Sequence, residues 1–337
     1  MALGYLRVAG ESTPGNESNT PTLTTKKTFV PIESYTLEPG FQHLLRENEL
    51  VNTDLPRAAL PNVANPNWQM SVRAYPDVLG QLLTTMLGAP TTTAGNGTIT
   101  DPDSTAVPNS AYKHVWTTPG LTGVSPQTAQ HDLAYTDEAV YFKVKGAATQ
   151  SLAITNPEDD AVMLAASGPA LYATRQSDPS LSPTYEADSV QAFMRRHASL
   201  TWLSGAADPA DCSVTITNPS APRHHFGSGS RWPSRMYKGD SPILVTGSIP
   251  MELIDQQDYD GLKDATGFTA TLKWASDTVI ASSYTYKLWI ASAASSCQYI
   301  GGGPNPLTNV RRRGGSFDFR MAGAVTITLV NATSDYS

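Results

Sequence analysis

The chain has 337 residues, 40% of them hydrophobic and 16% charged, with 25 Gly, 25 Pro and a formal net charge of −7. No run approaches the roughly 18 consecutive apolar residues of a membrane span. The opening Met1-Ala2-Leu3-Gly4-Tyr5-Leu6-Arg7 lacks the basic-then-apolar layout of a secretory leader. Residues 1–168 carry 9 Lys/Arg against 16 Asp/Glu, and residues 169–337 carry 14 against 14. All the excess acid therefore lies in the first half, which argues against tight phosphate binding.

Runs of Val, Ile, Thr and Tyr between turn residues predict a mainly β protein, and the length suits two domains, at 1–165 and 166–337. Residues 11–27 are rich in Ser, Thr, Pro and Asn and read as an arm that orders only against a partner. Strands are expected at 29–35, 68–74 and 112–116. Between the second and third lies the clearest helix. Pro76 suits its first position, where a missing N–H costs nothing. Val78, Leu79, Leu82, Leu83, Met86 and Leu87 recur on one face, and Gly88 stops it. Residues 91–110 read as a surface loop, and 157–211 as a connection holding one apolar run, 161–171, with no clear element type. Further strands are expected at 213–217, 243–249, 268–274 and 285–290, with a weaker, more acidic helix from Pro250 through Leu253, Ile254, Tyr259 and Leu262 to Gly267.

Three anchors suggest an internal repeat. Residues 142–156 match 317–331 at an offset of 175, with Phe142 and Phe317, Leu152 and Ile327, and Asn156 and Asn331 in register. Each alternates with period two about a small-residue turn, as a hairpin does. Tyr112-Lys113 recurs as Tyr286-Lys287, and Pro76 as Pro250, both 174 residues on. Each half thus reads as a β-sandwich or half-barrel with one short helix.

No nucleophile elbow, zinc-binding His-Glu-x-x-His, phosphate loop or dinucleotide fingerprint occurs, so no enzyme and no cofactor is expected. Cys212 and Cys297 read as free thiols without metal-ligand spacing. His224-His225 with His197 offers a weak metal reading, against which solvated loop histidines weigh more. Glu158-Asp159-Asp160 and Asp255, Asp258, Asp260 and Asp264 lack the spacing of a calcium loop. Arg311-Arg312-Arg313 suits either an acidic partner or solvent. The six Trp residues fall mostly inside apolar strands and look like core.

Three motifs carry a family resemblance. The strand 68–76 runs into Asp77-Val78-Leu79-Gly80-Gln81-Leu82-Leu83 and ends at Gly88; Tyr112-Lys113-His114-Val115-Trp116 forms an aromatic strand; Thr326-Ile327-Thr328-Leu329-Val330-Asn331 closes the chain. Together they resemble the major tail tube proteins of long, non-contractile tailed phages, though Trp116 stands where those have Phe. The resemblance implies a virion protein, present in the host cytoplasm before assembly, that packs into stacked rings. Inner sheets would join into a barrel through which double-stranded DNA passes without specific binding. The implied partners are further copies of itself, tape measure, tail tip and terminator proteins, with no membrane. One unit per chain is usual there; two units here imply three chains per pseudo-sixfold ring. An acidic lumen would suit the −7 excess by repelling phosphate.

For contacts between subunits or rings, the Leu-rich, mixed-charge segment 37–62 is the first candidate, with Leu44, Arg46, Glu47, Glu49, Asp54 and Arg57. Its counterpart is 224–237, with Phe226, Arg231 and Trp232 as anchors. The competing reading packs these side chains on their own domain. A rival function is a glycan-binding or depolymerising tail protein, which would expose aromatics on one face.

Overall fold

The computed structural model describes residues 4–44, 60–118, 127–135, 140–157, 161–203, 205–206, 212–225, 229–239, 241–251, 256–304 and 315–336, and every absence noted below concerns these residues. The chain first forms β1 (Gly4–Thr13), β2 (Thr22–Val30), β3 (Ile32–Glu38), β4 (Phe41–Leu44), β5 (Leu60–Ala64), β6 (Asn67–Arg73), α1 (Pro76–Leu87), β7 (Thr91–Ala94), β8 (Tyr112–Thr117), β9 (Thr128–Tyr135), β10 (Val140–Ala147), β11 (Ser151–Asn156), β12 (Met163–Pro169) and β13 (Tyr172–Gln176). It continues with β14 (Ser199–Trp202), β15 (Gly205–Ala206), β16 (Cys212–Thr217), β17 (Ser220–Arg223), β18 (Arg235–Lys238), β19 (Leu244–Met251), α2 (Gln256–Asp264), β20 (Thr271–Ala281), β21 (Tyr284–Ser292), β22 (Cys297–Pro304), β23 (Gly315–Met321) and β24 (Val325–Asn331).

The strand orders repeat. A five-stranded sheet runs β13-β10-β9-β1-β2, and a seven-stranded sheet contains β24-β21-β20-β14-β15, the same order, extended beyond β24 by β8-β7. An eight-stranded sheet runs β3-β6-β12-β11 and then β16-β19-β23-β22, again the same order twice. The hairpins β4–β5 and β17–β18 hold corresponding places, and β7–β8 is an insertion in the first pass. Every ladder between these strands is antiparallel.

One pass therefore spans β1–β13 and the other β14–β24, so the break falls within 177–198, whereas a division after 165 cuts through β12. The anchors at offset 175 align β10–β11 with β23–β24, but strand order equates β12–β13 with β23–β24. Neither matched segment is a hairpin; each crosses from one sheet to another. Period-two alternation is common to every two-faced strand, so it detects strands without fixing which pair is equivalent. Tyr112-Lys113 lies in the inserted β8 and has no counterpart in β21.

Proline explains two other differences. The expected strand 29–35 is broken at Pro31 into β2 and β3, which lie in different sheets. Pro has no N–H for a ladder, so the chain leaves one sheet there. Pro250 does not open the second helix; it lies in β19 opposite Ser316, beyond Ser248, the last residue of β19 paired with β16. An edge that needs no donor tolerates Pro.

The expected N-terminal arm is an ordered hairpin within the chain. Glu11 is buried, and its carboxylate accepts from the Gly15 and Gly146 N–H groups at 3.1 Å each and from Thr128 Oγ1 at 2.6 Å. Lys145 Nζ donates to the Asn19 carbonyl at 2.9 Å, tying the turn down. The loop 91–110 is likewise anchored. Asp101 accepts from Tyr284 Oη at 2.7 Å and Lys287 Nζ at 2.9 Å, and Val107 and Ala111 are fully buried against Trp289.

Helix α1 begins at Pro76 and stops at Gly88 (φ 87°), as the sequence predicts. It is more deeply enclosed than a one-faced stripe implies, because Gln81, Thr84 and Thr85 are buried too. It packs against β1 and β2 on one side and β8 and β24 on the other. One continuous apolar core joins all three large sheets. Trp68 and Tyr35 of the eight-stranded sheet meet His131 of β9, with ring centroids 4.7 and 6.0 Å apart. In the second pass Trp202 of β14 meets Phe319 of β23 at 5.0 Å and donates to Tyr299 Oη at 2.6 Å. The eight-stranded sheet thus packs one face against both other large sheets. All six Trp residues and both cysteines are buried.

Candidate assembly surfaces

The face of the eight-stranded sheet turned away from the core is built by strict alternation. Inward residues such as Met70, Val72, Leu152, Ile154, Val214, Ile216, Phe317 and Phe319 alternate with Gln69, Ser71, Ser151, Thr155, Ser213, Thr215, Ser316 and Thr246 on the outward face. Its described charges are Glu33, Glu38, Arg73, Asp318 and Arg320, and Arg73 Nε donates to Glu33 at 3.2 Å. The surface is hydroxyl-rich and close to neutral. The sheet ends at β3, whose ladder runs to β6, and at β22, whose ladder runs to β23 and whose first residue, Cys297, also exchanges backbone hydrogen bonds with Phe268 at 2.8 and 2.9 Å. Ile300, at an irregularity in β22, is 59% exposed.

A second surface joins the two segments singled out in the sequence. Phe41, at the base of the β4–β5 hairpin, is 47% exposed and lies edge-on to Trp232 with centroids 5.4 Å apart. The Arg231 guanidinium sits 4.6 Å from the Phe41 ring centre, and the Arg231 carbonyl accepts from Ala64 N–H at 2.7 Å. Trp232 is buried within its own chain against Tyr172, at 4.9 Å. Arg231 is therefore the exposed member, and Trp232 is its internal support. Leu44 ends β4 opposite Leu60. Arg46, Glu47, Glu49, Asp54, Arg57 and Phe226 lie outside the described residues, as do Arg311–Arg313 and Glu158–Asp160. His224 Nε2 meets Asn65 Oδ1 at 3.0 Å, and His225 Nε2 meets Tyr237 Oη at 3.1 Å, so the two rings serve separate local contacts.

A third cluster locks the chain's end. Asp77, in the first turn of α1, accepts from Lys26 Nζ and Thr333 Oγ1 at 2.5 Å each, and from Asn331 Nδ2 and Tyr336 Oη at 3.1 Å each. The Asp77 N–H donates to Glu186 at 2.8 Å. Burial pushes the Glu186 carboxyl up to about 8, and the adjacent Asp77 carboxylate adds to the effect. Tyr336 is fully buried over Gly80. Burial holds His131 down to about 4, hence neutral, with Nδ1 3.0 Å from Tyr35 Oη.

The sequence reading missed the open edges and the hydroxyl face. The signal was present in the alternation of small polar residues in 69–71, 151–155 and 213–217, which marks a polar face with few charges.

Terminal strands with a ladder on one side and a hydroxyl-rich face whose few charges nearly cancel are features suited to a structural subunit that associates. The chain belongs to the phage tail tube protein family, whose model matches residues 1–321. It is accordingly a structural subunit of a phage tail tube, a virion tail component that assembles with itself and with other tail proteins. No match to a curated protein sequence is found.

Proposed function

We propose that each chain supplies two tube units and that three chains close a pseudo-sixfold ring, with rings stacking around a lumen for genome passage. The observation that carries this is the eight-stranded sheet, composed of two half-sheets of identical strand order and open at both ends. Three such sheets joined edge to edge give a closed wall without free edges, which removes the exposed ladders a lone sheet must protect. Fusing two units makes every second lateral contact intramolecular and raises its effective concentration. The hydroxyl face would line the lumen. It offers DNA few of the cations that neutralise phosphate, so the duplex slides without counterion release. Repulsion by a strongly acidic lining plays little part in this arrangement, since the described charges on that face nearly cancel.

The hairpin base at Phe41 and Arg231, together with Arg46, Glu47, Glu49, Asp54, Arg57 and Phe226, would reach the next ring. Tape measure, tail tip and terminator proteins are the remaining partners, and the chain would wait in the host cytoplasm before assembly. The glycan-directed alternative has no supporting observation, since every Trp is buried. Negative-stain electron microscopy of concentrated protein, with rotational averaging of end-on views, tests the reading. Hollow rings with three strong and three weaker lobes are expected. Six identical lobes would remove the two-unit ring, and discrete particles alone would remove the tube.

A further inference from the structure

Resting on the tube assignment proposed above, we infer that the junction between the two units within a chain is the template for the junction between chains. In that junction β22 of one copy pairs antiparallel with β3 of the next in a defined register. Inside the chain β11, the last strand of the first half-sheet, pairs with β16, the first strand of the second. Ser151 faces Thr217 and Leu152 faces Ile216. β22 holds the place of β11 in its half-sheet, and β3 holds the place of β16. Both are the terminal strands of the sheet; Cys297 at the start of β22 is already hydrogen-bonded to Phe268, and past it no second ladder runs along either strand among the described residues, so a further strand can add there. A second copy of this chain is the partner that supplies both edges at once.

The register follows from connection lengths and ladders. β3 ends at Glu38 and β16 at Thr217, each three residues before the next hairpin strand opens, at Phe41 and Ser220. Glu38 pairs with Asn67 and Thr217 with Leu244, so Asn67 and Leu244 correspond. Two residues on, Gln69 reaches Ser151 through Ser167, and Thr246 reaches Gln298 through Arg320. Gln298 therefore takes the place of Ser151, and the template sets it opposite Glu38 of the next copy, with Tyr299 opposite Leu37.

The side chains agree with that placement. Tyr299 is 3% exposed, and Leu37 is half-buried against the core, so both belong on the inner face. Gln298 and Glu38 are exposed on the outer face, where an amide N–H donates to a carboxylate. The exposed Ile300 lies on the same open edge, where a paired neighbour would shield it.

The test is a disulfide between chains, in a background carrying Cys212→Ala and Cys297→Ala. Residues directly opposite on antiparallel strands have Cα atoms about 4.5–5.5 Å apart, within disulfide range. Tubes of a chain carrying Glu38→Cys and Gln298→Cys, oxidised and run on a non-reducing gel, should give a ladder that ends at the trimer. Mixed tubes of the two single-Cys chains should stop at the dimer. Thr36→Cys with Gln298→Cys, two residues out of register, should stay monomeric. Rings or tubes of the first double variant that give no ladder, or cross-linking through Thr36→Cys instead, would overturn the register while leaving the tube reading in place. A parent chain that forms only discrete particles removes the tube reading, and the junction falls with it.

Discussion

Gly80 lies inside α1 directly beneath the Tyr336 ring, and a Cβ there would overlap the ring carbon Cζ. In a free helix Ala is favoured over Gly by about 1 kcal/mol. Here the sign should reverse, because helix and C-terminal segment cannot both keep their places. Gly80→Ala is expected to cost about 1–3 kcal/mol as an overpacked core site. The urea unfolding midpoint reports it, and a rise in midpoint would show that the tail is not held against α1. Glu186 makes a second residue-scale prediction. Its folded-state value, about 8, lies above the ordinary 4.5, so the folded chain binds this proton more tightly than the unfolded one. Its contribution is fully favourable below about pH 4.5 and is lost as pH rises through 8. Between about pH 5 and 8 the melting temperature should therefore fall, levelling off above 8, and Glu186→Gln should flatten that slope. An unchanged slope would remove Glu186 as its source.

At the scale of elements, the base of the β4–β5 hairpin separates two roles that the sequence left merged. Trp232 is a core residue of the single chain, so Trp232→Ala should destabilise the free subunit by about 3–5 kcal/mol and confound any assembly assay. Arg231 contributes a cation–π contact, worth roughly 0.5–1 kcal/mol at an exposed site. Arg231→Ala should leave the melting temperature within a few degrees (about 2–4 °C per kcal/mol for chains of about 150–250 residues, less for longer ones) and lower the yield of tubes. Tubes at the parental yield would take Arg231 out of the interface. Helix α1 was legible because Pro76, the apolar spacing and Gly88 are local signals. Strands such as β6, β16 and β21 were legible from alternation for the same reason, whereas β1, β9, β14 and β22 were not marked out. Which strands pair was not, because β11 meets β16 and β24 meets β8 across large sequence separations that leave no local mark. The N-terminal hairpin was hidden for a related reason. Its polar composition resembles a free arm, and only the buried Glu11, capping Gly15 and Gly146, reveals that it is held.

Across the whole molecule, the two passes of the chain are not simply joined end to end. β8, from the first pass, completes the sheet of the second by pairing with β24, placing Trp116 opposite Ile327. In return the segment after β24 lies over α1 of the first, fastened by Asp77. Residues 199–336 produced alone should therefore be insoluble, since β24 loses a paired neighbour and Tyr336 its pocket. Supplying residues 1–198 in the same cell should restore solubility, and sedimentation of the lysate decides it. A soluble second half on its own would show that the exchange is dispensable. Such reciprocal lending acts as an evolutionary ratchet. Once one half holds a strand of the other and the other holds its tail, neither can return to life as a separate gene product. In the proposed ring, lineages descending from this chain would be held to building from pairs, free to let alternate positions diverge but not to separate them.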